Sequence, residues 1–375
     1  MARERIKLST IAERLGVSTA TVSLALRDSP AVADKTRAMV KREAANLGYI
    51  YNRRAASLRT QRTGIIGVVV RDVINPFYGE ILQAIETELD RERQTFILSN
   101  HYDQLDKQRS FIETLLQLGA DGVIMSPAIG TEPSDLHLAE RNGMPVVLVA
   151  RSVKGSGCPT FRGDDAYGIG LATRHLIALG HERIAMVGGT DATSTGRDRY
   201  RGYVEALEGS GLKADPALRL PGPRTKRAGF EVAGEFLSLR QRPTAAVCWN
   251  DLVAIGLMNG IARAGLVPGE DIAVTGYDDL EEAQIATPSL TTVWNGQHEV
   301  GRQAARALQI RLAGTMGGGG TSTTEGDGTL GRSTVSLSAS ASEPRAPGVH
   351  PPDDDGLTLV RPELRIRDST HRVRP

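Results

Sequence analysis

From Gly64 onward the chain alternates between short unbroken apolar runs and longer segments with helical spacing, and this alternation restricts the fold more than any other feature of the 375 residues. Ile65–Val70 is apolar throughout and bounded by Gly64 and Asp72, the pattern of a parallel strand buried on both faces. A helix is predicted over Tyr78–Arg93, then strands at Thr95–Ser99, Gly122–Ser126 and Val146–Ala150, separated by helices at Leu105–Leu118 and Ser134–Asn142. The series then resumes with strand Ile184–Val187, helices Arg199–Gly209 and Ala228–Leu239, strand Ala245–Cys248, helix Leu252–Ala264 and strand Ile272–Thr275. Parallel strands need helical crossovers, so the expectation is two doubly wound α/β lobes with a cleft between them.

The stretch before Gly64 is of another kind. Residues 1–63 hold 13 Lys and Arg against 5 Asp and Glu, whereas the remainder holds 32 against 39. A basic head on an acidic body predicts a polyanionic partner for the head alone, although a solvated basic helix pair would give the same count. Helical spacing over Leu8–Leu15 puts Leu8, Ile11, Ala12 and Leu15 on one face, with Thr10-x-x-Glu13 read as a capping box and Gly16 as the stop. Ser18 is the expected N-cap of a second helix, Thr19–Arg27, whose Val22, Ala25 and Leu26 face the first. A third helix, Asp34–Leu47, supplies Thr36, Val40, Ala44 and Leu47 and ends at Gly48.

Two short helices joined by a glycine turn make a helix-turn-helix, whose second helix enters the major groove. Thr19, Ala20, Ser23, Leu24 and Arg27 then face the bases. Leu24 stands about 200° round the helix from Val22 and Leu26, so it is expected outside the core. It is either an ordinary exposed leucine or a methyl contact to thymine. Tyr49–Arg59 is a short, arginine-dense, helix-competent run with Asn52 as its expected cap. It is either a hinge helix that orders on DNA, with Leu58 as a minor-groove wedge, or a basic linker.

The run Ser9-Thr10-Ile11-Ala12-Glu13-Arg14-Leu15-Gly16-Val17-Ser18-x-x-Thr21-Val22-Ser23, with Val32-x-x-x-Thr36-Arg37, Leu47-Gly48-Tyr49 and Asn52-x-x-Ala55-x-x-Leu58, resembles the lactose-repressor (LacI/GalR) family. The likeness covers nearly the whole chain. It implies a dimeric repressor on double-stranded operator DNA, with Ser18 and Thr21 joining the base-facing set and Asn52, Arg53, Ala55 and Leu58 contacting DNA from the hinge. Leu24 stands where many members carry arginine, Tyr51 where proline is usual, and Arg27 where asparagine is frequent.

Ligands of open α/β sheets lie beyond the carboxyl ends of the strands. Asp72, Asn75-Pro76-Phe77-Tyr78, Arg151, Asn250-Asp251 and Asp278-Asp279 follow strands, and Arg199 begins a second-lobe helix in this reading. Aromatic faces beside carboxylates, an amide and a guanidinium suit a sugar ring, while Asp251 and Asp279 read equally well as helix caps. The resemblance implies that Phe77, Tyr78, Arg199, Asn250 and Asp278 line an effector cleft, and Ala150 stands where members often have aspartate. The expected organisation is therefore a helix-turn-helix head at 1–50, a hinge helix and linker at 51–63, and a two-lobed, periplasmic-binding-protein-like effector and dimerisation domain at 64–314 and 356–370. A disordered loop is expected at 315–355, rich in Gly, Ser, Thr and Pro, and a tail at 371–375. Leu357–Thr370 resembles the family's last strand, and no leucine heptad follows it, so a tetramer zipper is not expected.

Other classes fit poorly. There is no Gly-x-Ser-x-Gly elbow, no Walker lysine after the glycine run and no histidine pair at metal spacing, so neither an enzyme nor a bound cofactor is expected. No apolar segment follows Met1-Ala2-Arg3-Glu4-Arg5 and none approaches membrane-spanning length, which predicts a cytoplasmic protein rather than a secreted sugar carrier. Cys158 and Cys248 read as packing residues.

Overall fold

The computed structural model of the chain describes residues 6–49, 62–314, 353 and 356–372. The hinge candidates Asn52, Arg53, Ala55 and Leu58, and nearly all of the 315–355 stretch, lie outside the described residues. Contacts divide the chain into two units, residues 1–63 and 64–375.

The first unit holds α1 (Leu8–Leu15), α2 (Thr19–Ala25) and α3 (Asp34–Leu47). Ile11, Ala12, Val22, Ala25, Val32, Val40 and Ala44 form its core, and Gly16 and Gly48 end α1 and α3 in the left-handed conformation. Ser18 caps α2, its Oγ accepting from Thr21 N–H at 3.0 Å. The Thr10-x-x-Glu13 capping box does not form. Lys7 is the N-cap of α1 without a side-chain bond, because Thr10 already sits inside the helix. Helix α2 stops two residues short of Arg27, since the Leu24 carbonyl accepts from both Arg27 N–H and Ser29 N–H and Asp28 takes a φ of 61°. Leu24 itself lies within α2. It is half-buried against the head core, contrary to its expected exposure. Arg37 ties the following loop to α3 through the carbonyls of Ser29 (2.8 Å) and Val32 (3.0 Å).

The second unit begins with β1 (Ile65–Val70), α4 (Pro76–Arg91), β2 (Thr95–Asn100), α5 (Leu105–Leu118), β3 (Gly122–Met125), α6 (Pro133–Arg141), β4 (Val146–Val149) and β5 (Thr160–Gly163). It continues with α7 (Asp165–Ala178), β6 (Ile184–Val187), α8 (Ser194–Glu208), β7 (Arg219–Leu220), α9 (Lys226–Ser238), β8 (Ala245–Cys248), α10 (Asp251–Arg263) and β9 (Ala273–Thr275). It closes with α11 (Glu281–Ile285), β10 (Thr292–Trp294), α12 (Gln297–Gly314), β11 (Leu357–Val360) and β12 (Glu363–Arg365). One sheet runs β11-β5-β4-β3-β1-β2 and another β7-β6-β8-β9, with every pairing in both parallel. Strands β10 and β12 form an antiparallel pair. Each sheet is buried between helices, as parallel sheets require.

The chain passes between the lobes after β5, before α12 and between β11 and β12. The Leu357–Thr370 segment is thus two strands broken at Arg361-Pro362 and shared between the lobes, and β11 pairs with β5 from Leu357 opposite Thr160. These passages touch. Asp164 N–H donates to the Val360 carbonyl at 2.9 Å, and Gly296, at φ 74°, leaves room where a Cβ would meet Val360 Cγ1 at 2.3 Å. Cys158 and Cys248 are buried and unpaired, and burial pushes the Cys158 thiol up to about 12.

Candidate functional site

The polar ends of the strands converge on one cleft between the lobes. Asn75 caps α4, its Oδ1 accepting from Phe77 N–H at 3.1 Å, and Pro76 begins the helix. This starts α4 two residues before the expected Tyr78 and places Phe77 and Tyr78 on the cleft wall, their rings edge to face at 5.1 Å. Tyr78 Oη lies 3.2 Å from Ser126 Oγ. At the end of β4, Ala150 adopts φ 61° and Arg151 N–H donates to the Val149 carbonyl at 2.6 Å. This tight turn shortens the strand by one residue and delivers Arg151 to the cleft.

In the second lobe, Thr193 caps α8 and begins it at Ser194, so Arg199 lies within the helix rather than at its start. Arg199 is almost fully buried. Its Nε donates to Asp165 Oδ1 at 2.7 Å and its Nη1 to the Trp249 carbonyl at 2.5 Å, and its guanidinium carbon lies 3.9 Å from the Tyr277 ring centre and 4.8 Å from that of Trp249. Burial works against its charge, but Asp165, Tyr277 and Asp278 together hold the guanidinium above its ordinary range. Asp278, at φ 113°, accepts from Asn295 Nδ2 at 3.3 Å and lies 3.9 Å from Arg199 Nη2. Burial drives its carboxyl well above the usual carboxylate range, with Asp251 and Asp165 adding to what Arg199 only partly offsets.

Six of the seven expected effector residues, Phe77, Tyr78, Arg151, Arg199, Asn250 and Asp278, line this cleft. Asp72 does not. Its Oδ1 accepts from Ile74 N–H at 3.1 Å, because a short aspartate just after a strand closes an Asx turn on its own backbone. The helix-cap reading of Asp251 and Asp279 also needs correction. Asn250 caps α10 by accepting from Val253 N–H at 3.0 Å, whereas Asp251 accepts from Leu280 N–H at 2.8 Å and the Thr292 hydroxyl at 2.5 Å, and burial raises it to about 7. Asp279 pairs with Arg367 at 2.6 Å.

The cleft also contains Arg71, Arg162, Asp165, Arg224, Trp249 and Asn295, which sequence reasoning did not single out. Trp249 directly follows β8, so the strand-end rule could have found it. Arg162 lies within β5 and Asp165 follows it, and a strand with an arginine in its middle gives no apolar run. Arg162 bridges Asp165 (3.0 Å) and Asp198 (2.5 Å).

In the head, Ser18, Thr19 and Ala20 are exposed along the start of α2, and Thr21 and Ser23 are half-buried. Arg27, just beyond α2, folds back on that helix, its Nε donating to the Ser23 carbonyl at 3.0 Å. Among the described residues no cluster of His, Cys, Asp or Glu is placed to hold a metal, and no helix is long and apolar enough to cross a membrane.

The model for periplasmic binding proteins and the sugar binding domain of the LacI family matches residues 63–324, and the model for bacterial regulatory proteins of the lacI family matches residues 7–52. The transcriptional repressor PurR of Photobacterium profundum is 30% identical over 306 residues, 81% of this chain and 91% of that protein. The repressor CytR of Escherichia coli (strain K12) is 29% identical over 315 residues, 84% of this chain and 92% of its own length. Among solved structures, the Lac repressor dimer bound to operator and the anti-inducer ONPF has a TM-score of 0.78 at 24% identity, covering 98% of this chain and 100% of that one. The transcriptional regulator CelR in complex with cellobiose has a TM-score of 0.66 at 26% identity, covering 97% and 100%. A helix-turn-helix at 7–52, a two-lobed body at 63–324 and repressors along most of its length as relatives place this chain in the LacI family, as a DNA-binding transcriptional repressor under effector control and not an enzyme.

Proposed function

We propose that this repressor acts in the cytoplasm as a homodimer on a near-palindromic operator, and that the ligand of its cleft is a sugar or sugar derivative. One observation carries the ligand reading: Phe77 and Trp249 share a cleft with Asp278, Asn250 and Arg199. An aromatic face takes the C–H side of a sugar ring, while fixed polar groups take its hydroxyls. The cellobiose complex of CelR, a relative of this fold, supports the same class. Dimer formation is supported by the Lac repressor's state on its operator. It would give each half-site one α2, with Ser18, Thr19, Ala20, Thr21 and Ser23 at the bases and Leu24 and Arg27 bracing the helix from behind. Asn52, Arg53, Ala55 and Leu58 would complete the grip from the minor groove.

Ligand binding alters operator affinity only if the two lobe arrangements bind it unequally. The test is operator binding by fluorescence anisotropy, on a duplex selected from a random library, with and without a panel of sugars and their derivatives. Wild-type affinity changes with one member of the panel. Asp278→Ala keeps the ligand-free affinity within about twofold and loses the response, as expected when a buried partner of the ligand is removed. A normal response from Asp278→Ala would remove this cleft from the switch.

A further inference from the structure

Five arginines reach the cleft, far more positive charge than a neutral sugar needs, and three of them converge at one corner. There Arg151 grips Asp103 with Nη1 at 2.5 Å and Nη2 at 3.4 Å, Arg71 Nε reaches the same carboxylate at 2.9 Å, and Arg224 Nη2 at 2.7 Å. Arg71 and Arg151 follow β1 and β4 in the first lobe, and Arg224 precedes α9 in the second. Among the described residues one other carboxylate pairs with these arginines: Asp72, 3.8 Å from Arg71 and partly open to solvent. His101, whose Nδ1 accepts from Asp103 N–H at 2.9 Å, is buried and held neutral, its pKa pushed down to about 4 mainly by burial. Arg162 Nε and Asn295 Oδ1 line the same cleft, buried and without a partner among the described residues.

Resting on the reading of this cleft as the effector site, we propose that its ligand carries a phosphate monoester, seated by Arg71, Arg151 and Arg224. Three guanidiniums closing on one point from both lobes suit a tetrahedral dianion, which takes donors from several directions and carries twice the charge of a carboxylate. Asp103 holds the three cations in register and competes with the ligand for them. Crowding supports this picture, since burial, together with repulsion from Arg151 and Arg71, holds Arg224 below its ordinary range. An oxyanion there would relieve the repulsion and add a second tie between Arg224 and the first lobe beside that of Asp103, so phosphate binding favours the closed arrangement.

The test uses the full-length protein and calorimetry at matched ionic strength, with ribose and ribose 5-phosphate, glucose and glucose 6-phosphate, adenosine and adenosine 5′-monophosphate, and inorganic phosphate. At least one ester binds about tenfold or more tightly than its neutral partner. Arg224→Gln and Arg71→Gln each weaken it about 10- to 100-fold, the loss of a charge-assisted hydrogen bond, while the neutral partner is unaffected. Asp103→Asn, which removes the competing charge, tightens it, a change of sign that simple misfolding cannot produce. Both arginine positions lie outside the basic head, so phosphate bound there does not imitate the result. Failure of every ester and of inorganic phosphate to bind, or an ester advantage that survives both arginine substitutions, overturns the proposal. A neutral compound bound at the expense of its ester, and lost in Asp278→Ala, overturns it too but leaves the effector reading standing. Ligand binding that Asp278→Ala does not touch overturns that reading instead.

Discussion

His101 shows how a single residue behind the cleft is fixed by its neighbours. Asp103 N–H donates to its Nδ1, so Nε2 carries the proton and donates to the Ser126 carbonyl at 2.8 Å. A second proton would set N–H against N–H in a buried site, and burial lowers the pKa from 6.5 to about 4. The unfolded chain therefore binds the extra proton between those values and the folded chain does not, so stability falls as pH drops through that window. Wild type should lose about 3 kcal/mol more than His101→Gln between pH 7 and 4 in denaturant unfolding followed by fluorescence. Parallel curves would mean that His101 titrates normally. At this scale the cleft was readable wherever a polar residue directly follows an apolar strand, as with Arg151, Asn250 and Asp278. Arg71 directly follows β1 and obeys the same rule, but was not singled out. Arg224 sits in a loop whose position depends on tertiary packing alone, so no local pattern marks it. Leu24 was misplaced for a related reason: angular position round α2 says which face a residue takes, but not what the rest of the head packs against that face, and Leu24 is partly buried against the head core.

Among the elements, the amphipathic helices and apolar strands were read to within a few residues at most ends, because their period is set by one buried face. Helix α7 gave no such signal. It is buried on most sides and interrupted by Gly168 and Gly170, which erases the contrast between faces. Helix starts shifted where a cap lay upstream of the apolar pattern, at Asn75 and at Thr193. Gly202 and Gly256 have a packing role that spacing did not reveal. A Cβ on Gly202 would stand 2.0 Å from the Ala166 carbonyl oxygen where α8 crosses α7, and one on Gly256 2.0 Å from that of Lys226 where α10 crosses α9. Both obstacles are backbone and cannot swing aside. Gly202→Ala should therefore destabilise the body by about 1–3 kcal/mol despite alanine's better helix propensity. A thermal unfolding midpoint at or above that of wild type would show that the helices can separate without cost.

For the whole molecule, the division between a basic head and an acidic body was visible in charge alone, and the two lobes in the repeated alternation. The sharing of the last strands between lobes was not, since it depends on where residues 357–365 return after an intervening stretch of little pattern. The account gives the two units separate work: the head selects a DNA sequence, and the cleft decides how firmly it holds. The most direct measurement compares the full-length protein's affinity for its selected duplex with that for scrambled DNA in physiological salt, with and without a compound that binds the cleft. The account predicts a preference of about 10³-fold or more, the range of specific repressors, altered by that compound in wild type and not in Asp278→Ala. Equal affinity for both duplexes, or a preference that no cleft ligand alters, would contradict it.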